Sequence, residues 1–96
     1  MIYSLTYELK SQDKDYTSLF IFLEHELGSG GLHVMRDCWW ISSDIELEIN
    51  ELCDKIRTYI GDKDHFFITR LPEAEINGWL PSSSWDYFRK NIKKES

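Results

Sequence analysis

From Met1 to Leu9 the chain alternates. Tyr3, Leu5, Tyr7 and Leu9 fall on one side, and Ile2, Ser4, Thr6 and Glu8 on the other. Successive side chains of a strand point to opposite faces, so the pattern predicts a β-strand with one aromatic and aliphatic face to bury under helices. The opposite face carries small hydroxyls and ends in a carboxylate, as a solvent-lined or subunit-contacting surface would.

Lys10–Lys14 reads as a polar turn, after which Asp15 offers an N-cap acceptor for a first helix. Tyr16, Leu19, Phe20, Leu23 and Leu27 recur at helical spacing and define one apolar stripe. Ile21 and Phe22 fall off that stripe, which points to a second partner for the helix and hence to a subunit contact. Gly28 is placed to end it. The run GSGG at Gly28–Gly31 follows a helix and opens a strand, the reverse of a phosphate loop, and lacks the Gly-Lys-Ser/Thr ending. It reads as a turn.

Leu32–Ile41 is dense in β-formers, but Arg36 and Asp37 interrupt it. Either one face is open or the segment bends there into two short strands. Ser43 and Glu46 fit a capping box, and Ile45, Ile49, Leu52, Ile56 and Tyr59 step by four, three, four and three along a second helix that Gly61 ends. Asp44, Glu46 and Glu48 near its start and Lys55 and Arg57 near its end suit the helix dipole. Asp62–Asp64 is an acidic turn. His65–Leu71 is a third strong strand, stopped by Pro72. Ile76–Leu80 reads as a short strand weakened by Gly78. Ser83 or Ser84 opens a last helix through Trp85, Phe88 and Ile92, followed by a basic tail.

Ninety-six residues suffice for one domain with a modest core, divided here into a body over 1–81 and a C-terminal helix and tail over 82–96. The net charge of -6 and a pI near 4.9 make a poor footprint for gripping phosphate backbones, so nucleic-acid binding is doubtful. No apolar run is long enough to span a bilayer, and the N-terminus has no basic region followed by a hydrophobic block, so no membrane partner is expected. Cys38 and Cys53 form no CxxC pair; two reduced, mostly buried thiols in a cytoplasmic protein are expected.

His25, His33 and His65 are scattered without metal-ligand spacing, and no Gly-x-Ser-x-Gly turn anchors a hydrolase triad. Glu8 and Asp37 are the carboxylates with the best chance of lying on or at the end of a strand. Two copies of Glu8 across a two-fold axis would offer oxygen ligands to Mg²⁺. The ordinary alternative is a strand-end carboxylate bonded to backbone or paired with an arginine. Trp39, Trp40, Trp79 and Trp85 could stack on bases, but such platforms come with a basic groove, so core and interface packing is the better reading.

Taken together, Tyr-x-Leu-Thr-Tyr-Glu-Leu at Tyr3–Leu9, Asp15-Tyr16, His33-x-Met-x-Asp-x-Trp through Trp39, Asp62-x-Asp-x-Phe-x-Ile-x-x-Leu through Leu71, and Gly78-Trp79 followed by Trp85 resemble the SinR-like family. That family is similar to the small CRISPR-associated adaptation proteins and to VapD-type endoribonucleases. The resemblance implies an α+β, ferredoxin-like βαββαβ sandwich, an antiparallel sheet with two helices on one face. It also implies a homodimer in which a C-terminal strand adds to the partner's sheet. In nuclease-active relatives a strand-end aspartate is repeated across the dimer axis and binds a divalent metal. Glu8 is the matching position here, with oxygens one methylene further out.

The function expected is therefore a dimeric interaction module without catalysis, needing no cofactor and engaging an unknown protein partner, with Ile21, Phe22, Trp79 and Trp85 as interface candidates. The alternative is a Mg²⁺-dependent endoribonuclease at the dimer cleft, with Glu8 as its metal and catalytic candidate. A third reading is an acidic inhibitor imitating nucleic acid.

Overall fold

The computed structural model describes residues 2–10, 15–43, 48–71 and 76–92. Along the chain these form β1 (Ile2–Glu8), α1 (Thr17–His25), β2 (Gly28–Met35), β3 (Cys38–Ser43), α2 (Ile49–Arg57), β4 (His65–Arg70) and α3 (Ser82–Ile92). The four strands make one antiparallel sheet in the order β2-β3-β1-β4. The protein is α+β, with this sheet and three helices among the described residues. β1 lies inside the sheet, with Leu5 opposite Trp39 of β3 on one side and Ile68 of β4 on the other. Arg36 and Asp37 form the turn between β2 and β3, so the bent version of Leu32–Ile41 is the one adopted.

The first face of the sheet follows from the period-two pattern. Tyr3, Leu5 and Tyr7 are buried with Trp39 and Ile41 beneath Leu19, Phe22, Leu23 and Leu27 from α1 and its exit, and beneath Leu52 and Ile56 of α2. Ile49, Phe66 and Ile68 pack half-buried at its margin. Phe22 is a correction: it is 5% exposed and stacks on Tyr59, with ring centroids 5.0 Å apart. A helix that packs on a sheet and also against the turn leaving α2 needs a broad apolar face, and Phe22 fills the part of it that meets Tyr59. It is not a surface contact.

The second face is drier than its hydroxyls suggest. Ile2 is fully buried, and with Cys38 and Trp40 it forms a second core that α3 closes with Phe88. Trp85 packs on Trp40 at 5.9 Å between centroids, so it too points inward. Tyr87 donates to the carbonyl of Gly30 at 2.7 Å, and burial pushes its phenol up to about 12. The C-terminal helix is thus part of the packed body rather than an appendage. Residues 76–80 form no strand; Ile76 and Leu80 pack against this second core instead. Glycine at 78, with open space around it, leaves that segment little side-chain support for pairing.

Several punctuation signals shift by a few residues. Asp15 accepts from the Thr17 backbone N–H at 2.9 Å and from its hydroxyl at 2.6 Å, so it braces the first turn of α1 from one position outside the cap. These bonds, the hydroxyl's first, hold its carboxyl below the usual range. Gly28 opens β2 rather than ending α1, and the glycine run is a bulged edge strand rather than a turn. Glycine is required there by proximity: a Cβ on Gly31 would lie 2.4 Å from the Leu23 carbonyl oxygen, and Gly30 has φ +87°. Ser43 closes β3, and α2 begins at Ile49. Glu46 of the expected capping box lies outside the described residues, as do most of the Lys10–Lys14 turn and the last residues of the basic tail. The last helix starts at Ser82, and within it Arg89 pairs with Asp86 at 2.6 Å.

The acidic turn before β4 holds a buried carboxylate. Asp64 accepts from the backbone N–H of Lys10 at 2.7 Å, from that of Gly61 at 2.8 Å, and from the Tyr16 hydroxyl at 2.7 and 2.8 Å. One side chain therefore ties the exit of β1, the entry to α1 and the loop after α2.

Two stability outcomes follow from this packing. Leu52→Ala removes a fully packed side chain and should lower stability by roughly 2–5 kcal/mol in urea unfolding; an unchanged midpoint would contradict its core placement. Asp64→Ala strands donors from three segments and should lower stability by about 2–4 kcal/mol, a loss that the same titration would register.

Candidate functional site

The C-terminal end of β1 is where polar chemistry gathers, and its two faces differ. On the helix-covered face Tyr7 accepts from Trp39 Nε1 at 3.1 Å and donates to the Arg36 carbonyl at 3.3 Å. His33 Nε2 lies 3.0 Å from the same carbonyl and 3.3 Å from the Tyr7 hydroxyl. The His33 ring stacks on Trp39 at 4.6 Å, and Phe20 of α1 completes the stack at 5.7 Å from Trp39. Burial raises the Tyr7 phenol above its ordinary value; the Trp39 hydrogen bond opposes this and the nearby Asp37 charge adds to it. With its hydroxyl engaged on both sides, Tyr7 fastens the β2–β3 turn to the central strand.

On the opposite face the C-terminal half of β1 is left open. Glu8 stands opposite His65 of β4, and the next residues in register, Thr6 and Phe67, continue the strip. Phe67 is 60% exposed. Together with Tyr7 and Phe66 these residues line an open depression of about 340 Å³. The Glu8 carboxylate takes a 2.7 Å ion pair from the Lys10 ammonium. That hydrogen bond first, the Lys10 charge second and, more weakly, His65 hold the carboxyl below the usual range. Both partners are well exposed, so solvent screens the pair and it adds little to stability.

The remaining expected residues are dispersed. Asp37 lies in the exposed β2–β3 turn, where its backbone carbonyl accepts from Tyr7 N–H at 3.0 Å. His25 sits at the end of α1 beside Glu24, while His33 and His65 belong to opposite faces of the sheet. Among the described residues no three His, Cys, Asp or Glu side chains converge as a metal-holding group. Cys38 is buried and Cys53 half-buried, both as free thiols. Of the interface candidates, Ile21 is 50% exposed and Trp79 completely so, whereas Phe22 and Trp85 are committed to the two cores.

Phe67 and Asp64 are the residues that pattern reading passed over. The consecutive pair Phe66-Phe67 was the available signal for the first, because two adjacent aromatics on a strand place one on each face. Asp64 carried no such signal, since a buried carboxylate and a solvated one look alike in a turn.

Replacing Lys10 by Ala should raise the Glu8 titration midpoint, followed by side-chain NMR. Because the folded value is depressed, the ion pair's small contribution is present above the unfolded carboxyl range and is lost as pH falls through the folded value. An unmoved midpoint in Lys10→Ala would show that Lys10 does not hold the charge.

Comparison of the chain with protein-family models, with curated proteins and with solved structures returned no match.

Proposed function

We propose that this protein is a small interaction module that works as a homodimer, binding rather than transforming its partner. The observation that carries this reading is the apolar surface left outside both cores, with Phe67 60% exposed on the open strip of the sheet. Trp79, wholly exposed beside the second core's Leu80, adds to it. Large aromatic side chains in water are characteristic of contact surfaces. The reading also draws on the resemblance to the SinR-like family. A ferredoxin-like description of the body is supported by the order β1-α1-β2-β3-α2-β4, the strand order β2-β3-β1-β4 and the shared core under α1 and α2. α3 then adds a cover on the opposite face.

A second reading, a Mg²⁺-dependent ribonuclease at a dimer cleft, is favoured by one feature, the placement of Glu8 opposite His65 on the open face. Against it stand the Lys10 pairing of Glu8 and the acidic balance of the chain, -6 overall, which disfavours an RNA backbone.

Light scattering at micromolar concentration should report close to twice 11.5 kDa. A concentration-independent mass of 11.5 kDa would end the dimeric reading. Single-stranded RNA should survive incubation with the wild type and Mg²⁺; cleavage that disappears in Glu8→Gln would promote the ribonuclease instead.

A further inference from the structure

The described segment 76–80, which leads into α3, belongs to no helix or strand. Ile76 and Leu80 anchor its ends on the second core, and the residues between them, Asn77, Gly78 and Trp79, stand in solvent. Among the described residues no backbone–backbone hydrogen bond ties those three to the body. Gly78 N–H instead donates to Asn77 Oδ1 at 2.8 Å, within the same dipeptide.

The side-chain amide carbon of an asparagine is an electrophile, and the next residue's backbone nitrogen is the nucleophile nearest to it. Closing a ring between them needs that nitrogen close by, unclaimed by secondary structure and free to turn. Asn77 meets all three conditions. The Gly78 nitrogen already faces the amide, and turning about Cβ–Cγ presents the carbon in place of Oδ1. Backbone rotation is unopposed, because glycine has no side chain and a Cβ built there would meet nothing within 4 Å. The chain's two other asparagines do not meet them. Asn50 lies in α2 before Glu51. Asn91 lies in α3 before Ile92, is 3% exposed, and donates from Nδ2 to the Tyr87 carbonyl at 2.9 Å. Helical backbone fixes both, and the side chain that follows each crowds the attack.

We propose that Asn77 is a site of spontaneous covalent modification, converted through a cyclic imide with Gly78 to aspartate and isoaspartate. Base removes the Gly78 amide proton, and the nitrogen forms a bond to Asn77 Cγ. The bond from Cγ to the side-chain nitrogen breaks, and that nitrogen leaves with a proton as ammonia. Water then opens the five-membered ring at either carbonyl. Opening at the main-chain carbonyl leaves isoaspartate, and opening at Cγ leaves aspartate; nothing is oxidised or reduced. Each product sets one further negative charge beside the exposed Trp79. Isoaspartate also adds a methylene to the main chain between the Ile76 and Leu80 anchors. The chemistry needs only this dipeptide, base and water, so it is independent of the homodimeric reading.

The test ages the dilute, folded wild-type chain at neutral and mildly alkaline pH, with digestion and mass spectrometry at intervals. The fragment holding Asn77 should gain about one dalton, as ammonia is exchanged for water, and resolve into two forms of equal mass. Its conversion should outpace that of Asn50 and Asn91 by at least roughly ten-fold and quicken as pH rises. Gly78→Ala, whose methyl enters open space, should keep the wild-type melting temperature and slow the conversion by roughly ten-fold. A synthetic peptide of residues 76–80 gives the rate without the fold. Conversion of Asn77 in the protein below about a tenth of the peptide's rate would overturn the proposal, since the fold would then protect the amide. Conversion in Gly78→Ala at the wild-type rate would overturn the ring-closing route.

Discussion

Everything in this fold is indexed to β1. It pairs on both sides, so its register with β3 and β4 decides which side chains of those strands share a face with Tyr3, Leu5 and Tyr7. A slip of one residue would turn that whole set over. The slip is blocked from both directions, because both faces of β1 are occupied near its start, where Tyr3 belongs to one core and Ile2 to the other. A central strand with apolar groups above and below has one satisfactory position.

The connections are held with comparable definition. Asp64 brings the ends of three segments onto one carboxylate, and Tyr7 pins the Arg36–Asp37 turn through the carbonyl of Arg36. Both operate near the C-terminal end of β1. That end also carries the exposed Glu8, so buried and solvated ionisable groups lie close together with opposite duties. Asp64 organises backbone donors out of water. Glu8 accepts from the Lys10 ammonium in water, where salt and solvent weaken the attraction.

The second face is divided by α3. Over β2, β3 and the start of β1 it supplies Phe88, Trp85 and Tyr87 and makes a core; over the end of β1 and β4 it leaves Thr6, Glu8, His65 and Phe67 to solvent. α3 covers the β2 side of this face, and no described strand pairs with the outer edge of β4.

Much of this was legible in local pattern. The alternation through Ile2–Glu8 and the helical spacing of Leu19, Leu23, Leu52 and Ile56 each reflect a period that acts over a few residues, and both appear in the fold; at Arg36–Asp37 the pattern left an open face and a bend as alternatives, and the bend is the one adopted. What local pattern could not determine was the company each residue keeps. Phe22 looked peripheral because a single helical stripe assumes one neighbour, and α1 has two. Ser43 looked like a cap because nothing nearby in sequence shows that β3 extends to it. Trp85 and Ile2 became core only when a helix more than eighty positions from Ile2 folded across the sheet. Near neighbours along the chain set the periods and the charge balance, whereas the glycine run at 28–31 had the local look of a turn and became a bulged strand. Which carboxylate is buried, which aromatic is exposed and which edge strand is bulged depend on contacts between segments that no local spacing encodes.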